Sequence, residues 1–120
     1  MSKSERVERP LKRVEYEIFF ITREAQKGWQ DCLAVARNAT VQAWERLTTA
    51  PTHEDERLYR LSADFAVGTY GRRTFERYQY KITNGGRLWY FVEPTPRSKV
   101  AGRVLLERCM TGHPKETEPR

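Results

Sequence analysis

Four basic side chains carry the most specific chemistry in this sequence: Lys81 and Arg87 in a hairpin, and His113 and Lys115 in the polar run TGHPK at 111–115. Their types suit cleavage of RNA by attack of its own 2′-hydroxyl. That reaction needs a group to remove the hydroxyl proton, a group to protonate the departing 5′-oxygen, and cations against the charge gathering on phosphorus. Histidine suits either proton role because its unperturbed pKa is about 6.5. Arginine stays charged and offers phosphate a planar fork. Pro114 restrains the backbone beside His113. A competing reading makes GHPK a strand-ending turn with a solvated histidine. No metal or cofactor is called for: Cys32 and Cys109 sit among apolar neighbours as reduced thiols, and His53 and His113 fit no CxxC or HxxxH spacing.

The hairpin spans residues 78–90, YQYKITNGGRLWY. Asn84 and Gly85 predict a two-residue type I′ turn, which needs backbone angles that these residues reach cheaply. Side-chain alternation assigns Tyr78, Tyr80, Ile82, Leu88, Tyr90 and Val92 to the core. Arg77, Gln79, Lys81, Arg87, Trp89 and Phe91 then share the other face. Cations can grip phosphates while rings stack on unpaired bases, so Arg77, Gln79 and Trp89 are candidate RNA contacts. Alternatively, Trp89 and Phe91 form a second, smaller core beneath the 58–71 segment or beneath a partner.

The elements that must position these groups follow from hydrophobic spacing. Val14 to Ile21 reads as a first strand. Thr22 caps a helix with Ala25, Trp29, Cys32, Leu33 and Ala36 on one stripe, and the pattern breaks around Asn38. A second helix opens near Ala39 or Thr40, shows the stripe Val41, Trp44 and Leu47, and stops before Pro51. Trp29 and Trp44 are expected to seat this helical hairpin on a sheet. Residues 51–57 read as a polar loop and 58–71 stay open between a short strand and an irregular segment. Further strands are expected at about 74–83, 87–93 and 102–111. The expectation is an α+β domain: an antiparallel sheet of about four strands with a helical hairpin on one face, in the order β-α-α-β-β-β.

The 120 residues suffice for one core, taken as residues 14–118 after a flexible extension at 1–13 that holds five cations, two acids and Pro10. Net charge is +6 and the isoelectric point about 9.6, a balance that favours polyanionic partners or serves solubility alone. The excess gathers at 72–87, where Arg72, Arg73, Arg77, Lys81 and Arg87 face only Glu76. No segment approaches the roughly twenty apolar residues of a membrane helix, and no secretory signal is read, so a cytoplasmic protein with no membrane partner is expected.

The order of elements, the strand GGRLWYFV at 85–92 and the terminal TGHPKETE at 111–118 resemble the RelE/ParE toxin superfamily of bacterial toxin–antitoxin systems, over roughly residues 14–118. The resemblance implies an antiparallel sheet on a helical hairpin and a cognate antitoxin that wraps and neutralises the toxin. It implies cleavage of mRNA in the ribosomal A site for the RelE branch, and inhibition of DNA gyrase for the ParE branch. Lys81 matches the sheet lysine of the ribonuclease branch and Arg87 the arginine opening its third strand. His113 and Lys115 stand where that branch keeps basic or acid–base groups. The chain departs from the pattern after Lys115, where no tyrosine follows, and HPK replaces the expected second arginine. The identity of the proton donor is thereby open.

Overall fold

Thr22 is extended and its hydroxyl accepts the Ala25 amide at 2.9 Å, which starts the first helix where the cap predicts it. The computed structural model describes residues 5–112. Along them run β1 (Tyr16–Phe20), α1 (Arg23–Val35), α2 (Arg37–Thr49), β2 (Leu58–Arg60), a 3-10 turn at Ala63–Phe65, β3 (Val67–Tyr70), β4 (Arg73–Glu76), β5 (Tyr78–Lys81), β6 (Arg87–Pro94) and β7 (Gly102–Met110). This is an α+β fold with two helices and a five-stranded sheet ordered β1-β7-β6-β5-β2, beside a two-stranded ribbon of β3 and β4. No helix among the described residues is long and apolar enough to cross a membrane.

Three details differ from the expected antiparallel four-stranded sheet. The sheet is mixed, because β1 pairs parallel with β7 from Tyr16↔Gly102 to Phe20↔Leu106. Parallel partners require a long crossover, and all the intervening elements lie within it. The strand expected at 74–83 is two strands: β4 pairs with β3, and after Arg77 the chain changes partners, so that β5 pairs with β2 and β6. The Arg77 amide donates to Ala66 O and its carbonyl accepts from Leu61, which marks the switch. The open 58–71 segment supplies β2, the 3-10 turn and β3.

The expected core face is the one observed. Tyr78, Tyr80, Ile82, Leu88, Tyr90, Val104, Leu106 and Cys109 pack with Ala25, Cys32, Ala43 and Leu47 of the helices, and Val92 and Trp29 pack against them. The α2 stripe is rotated from the expected one: Thr40, Ala43, Leu47 and Thr48 face inward while Val41 is 45% exposed. Trp44 is half-buried beneath the Arg9 guanidinium, 5.7 Å from its ring centroid. The helices meet at Ala36, two residues before the expected Asn38. In α1, Gly28 lies so close to β7 that a β-carbon there would collide with the Cys109 carbonyl oxygen.

The β6–β7 register shifts between Trp89↔Arg108 and Tyr90↔Leu106, leaving Glu107 as the extra residue of a β-bulge. In a regular strand, residues three apart face opposite sides. The bulge lets Leu106 and Cys109 both enter the core and sends both Glu107 and Arg108 to the outer face, where Glu107 meets Arg77 and Arg108 lies 4.8 Å over the Trp89 ring.

Candidate functional site

Lys81 and Arg87 face each other directly across β5 and β6. The turn joining these strands corrects the expected one. Ile82 N–H donates to Gly86 O at 3.1 Å, so Thr83, Asn84 and Gly85 form a longer loop, and neither Asn84 nor Gly85 has a positive φ. A two-residue turn would have set Lys81 opposite Leu88 and forced polar and apolar faces to mix; the need to bury one face of each strand decides the register. The turn with positive φ at both central residues is instead Gly71–Arg72, at 58° and 67°, between the paired Tyr70 and Arg73.

Arg87 holds the loop together. Its Nη1 donates to the carbonyls of Thr83, Asn84 and Gly86 at 3.0, 3.1 and 2.9 Å. The residue is 5% exposed, and burial pulls its guanidinium below the ordinary arginine value. Lys81 is half-buried, with Nζ 5.4 Å from the Tyr59 ring centroid.

Both residues line an open cleft of about 490 Å³ with Arg46, Asp55, Glu56, Arg57, Thr83 and Asn84. Arg46 is paired with Asp55 at 3.0 Å. The Asp55 carboxyl is held below the usual carboxylate range, first by the Arg57 amide, with the Leu58 amide and the Arg46 guanidinium adding to it. Among the described residues, Lys81 and Arg57 form no ion pair. The cleft therefore concentrates cations at one end of the sheet, an arrangement able to bind a phosphodiester.

Arg77, Gln79 and Trp89 are placed differently from an open RNA surface. Arg77 forms a two-bond ion pair with Glu107, at 2.7 and 2.9 Å, and donates to the Phe65 and Val67 carbonyls. Trp89 is 3% exposed, capped by Phe65 with ring centroids 5.5 Å apart, and donates from Nε1 to Gln79 Oε1 at 2.8 Å. Phe91 stacks on Phe75, and Gly68 lies against it so closely that a β-carbon would come within 2.7 Å of the ring. Phe91 thus joins a second small core with Phe75 and Leu105, while Trp89 is buried beside it under Phe65 and has no open ring face for a base. The cause is the β3–β4 ribbon, which lies over this half of the sheet and is fastened by Arg77.

His113 and Lys115 lie outside the described residues. The chain reaches them from the same end of the sheet: Met110 is opposite Arg87, and a β-carbon at Gly85 would lie 3.7 Å from Thr111 O and 3.8 Å from Gly112 Cα. Among the described residues no group of three or more metal-ligating side chains occurs, and Cys32 and Cys109 are buried free thiols that burial pushes up in pKa. Sequence reasoning missed Tyr59, on β2, and Arg57, just before it, whose carbonyl accepts the Lys81 amide at 2.8 Å. Their signal was the alternation Leu58-Tyr59-Arg60, too short to fix a strand. Compared with protein-family models, curated proteins and solved structures, the chain matches none of them.

Proposed function

We propose that this chain is a toxin of a bacterial type II toxin–antitoxin system, similar to the RelE branch of the RelE/ParE superfamily, and that it cleaves mRNA on the ribosome without a metal. The observation supporting this reading is the cleft in which Lys81 and Arg87 stand opposite one another at the sheet end from which Gly112 runs into His113. In this mechanism Arg87 and Lys81 face the phosphate and stabilise charge as it grows on the non-bridging oxygens. His113 moves a proton, and Lys115 adds a further cation. A cognate antitoxin carrying acidic groups would neutralise the cleft.

The test adds the protein to translating ribosomes and maps mRNA 5′ ends. Discrete cuts are expected from wild type, and a loss of about a hundredfold or more in rate is expected for Lys81→Ala if it stabilises the transition-state charge. Absence of cuts by wild type removes the enzyme assignment. Cutting by His113→Ala at the wild-type rate removes only that residue's proton role.

One observation favours a second reading, a non-catalytic toxin of the ParE type that binds gyrase. Arg87, the residue assigned to the phosphate, already donates to three loop carbonyls. Inhibition of gyrase supercoiling without RNA cleavage would select it.

A further inference from the structure

Next to Lys81 the outer face of the sheet contains a second hollow, of about 330 Å³, lined by Tyr59, Arg60, Leu61, Ser62, Phe65 and Gln79. We infer that this hollow is a nucleobase subsite, holding one base of a single RNA strand whose neighbouring phosphate lies at Lys81. The choice of an RNA strand as occupant rests on the reading proposed above, which this subsite extends to substrate recognition.

Three features support a base as the occupant. The first is size, since about 330 Å³ is at the lower end of the roughly 300–1,000 Å³ of small-molecule sites and suits one flat heterocycle better than a larger ligand. The second is the wall. Tyr59 and Phe65 are both half-buried, and Phe65 is braced against Trp89 with centroids 5.5 Å apart, so two aromatic rings border the hollow in fixed positions. Such rings stack on any base.

The third feature is a buried, pre-oriented polar floor. Gln79 is 4% exposed; Trp89 Nε1–H donates to its Oε1 at 2.8 Å, and its Nε2 donates to the Tyr59 hydroxyl at 3.0 Å. A primary amide offers two donors and two acceptor sites. Among the described residues these bonds use one of each, leaving Gln79 a donor and an acceptor for a base edge in the hollow it lines.

Charge then sets the direction of the strand. Arg60 is engaged by Glu54 and Glu76 at 3.1 and 3.0 Å, whereas Lys81 Nζ lies 5.4 Å from the Tyr59 centroid, between the hollow and the cationic cleft. A base stacked on Tyr59 places its phosphate toward Lys81 and leads the chain on toward Arg87. A duplex does not fit this path, because its bases are already paired and stacked.

The test uses fluorescein-labelled 2′-O-methyl oligoribonucleotide hexamers, which lack the attacking hydroxyl, so binding is read apart from cleavage. Tyr59→Ala is expected to weaken binding about tenfold or more, and Tyr59→Phe to retain most of it. Ser62→Trp, at an exposed position on the rim, is expected to fill the hollow and give the same loss with an unchanged melting temperature. Lys81→Ala is expected to lower the slope of log Kd against log salt by about one. Uridine monophosphate should displace the hexamer only at far higher concentration, and equal competition would overturn the assignment to a strand. Wild-type binding by both Tyr59→Ala and Ser62→Trp overturns the subsite, while a weakened Lys81→Ala would leave the phosphate cleft standing. Binding that follows Tyr59 and Ser62 without any ribosomal cuts keeps the subsite and removes the nuclease. No binding of any strand by wild type overturns the inference.

Discussion

Arg77 fastens the β3–β4 ribbon to the sheet, and replacing it with methionine should be among the most destabilising single changes on the outer face. Its guanidinium makes two bonds to Glu107 and two more to the Phe65 and Val67 carbonyls, and it lies 5.5 Å from the centroids of both Trp89 and Phe91. A hydrogen bond to a charged partner contributes about 1.5–3 kcal/mol, and each ring contact about 0.5–1 kcal/mol where water still reaches it. Breaking a fully buried ion pair costs about 3–5 kcal/mol. Here the side chains are 12% and 22% exposed, which places the change near the bottom of that range. Methionine recovers part of the loss by apolar burial against the same rings, so the net expectation is about 3 kcal/mol. Urea unfolding followed by far-ultraviolet circular dichroism should show the midpoint falling by about 1–3 M, given slopes of about 1–3 kcal/mol per M for small domains. Adding Glu107→Gln should return at least about 1 kcal/mol, because that carboxylate is otherwise left without its cation. A change below about 0.5 kcal/mol for Arg77→Met, or strict additivity in the double variant, would refute the reasoning.

Gly28→Ala should destabilise by about 1–3 kcal/mol, the usual cost of overpacking, since its β-carbon meets the backbone of Cys109; thermal melting checks this, and an unchanged melting temperature would mean that α1 can lift from β7. Arg72 has φ of 67° in a two-residue turn, so Arg72→Gly should stabilise the fold in urea, by up to about 1 kcal/mol from relief of the left-handed conformation. A loss instead would assign the Arg72 side chain a contact that matters. Asp55 accepts the Arg57 and Leu58 amides at 2.8 and 3.0 Å, and its folded pKa is depressed. Its stabilisation is therefore complete above its unfolded pKa of about 3.9 and is lost as pH falls through the lower folded value. Asp55→Ala should be less stable than wild type at pH 7, with the gap narrowing in acid; a gap independent of pH would contradict the assignment.

What was legible in the sequence was whatever a single local pattern decides. Thr22 capping, the core parity of Tyr78, Tyr80, Leu88 and Tyr90, and the placing of Lys81 and Arg87 on one shared outer face each rest on strict alternation or on one cap. The rest depended on competition between distant residues. Asn84–Gly85 carries the stronger turn motif, yet the two-residue turn with positive φ falls at Gly71–Arg72, because core alternation fixed the β5–β6 register one residue away from the motif's preference. The α2 stripe was misread because Val41 is the more apolar residue, whereas the packed face needs the small Thr40 and Ala43. At the candidate site, Lys81 and Arg87 were found from the hairpin, but Tyr59 arrives on a three-residue strand, and Arg57 just before it, whose pairing no local spacing reveals. The closure of Trp89 was equally hidden, since it depends on Glu107 leaving the regular register of β7 to meet Arg77.

The same closure bears on how the cleft would work. With the β3–β4 ribbon covering Phe91 and Phe65 capping Trp89, the aromatic surface accessible to a ligand is displaced from the middle of the sheet toward Tyr59 and Phe65, at the β2 edge. The cations are displaced with it, because Arg77 is neutralised by Glu107 and Arg73 by Glu93, whereas Lys81 and Arg57 enter no ion pair among the described residues. The clamp formed by Arg87 on its loop is compatible with a role toward phosphate. Bonds from Nη1 to three carbonyls fix the plane of the guanidinium, and a cation already desolvated and fixed in place responds to developing charge without having to reorganise. Its depressed pKa has the same origin: burial penalises the charge, and an anion entering the cleft would offset that penalty. The proposed affinity for a polyanion would therefore belong to this end of the sheet, and it would depend less on the net charge of +6 than on Lys81 and Arg57, which among the described residues enter no ion pair.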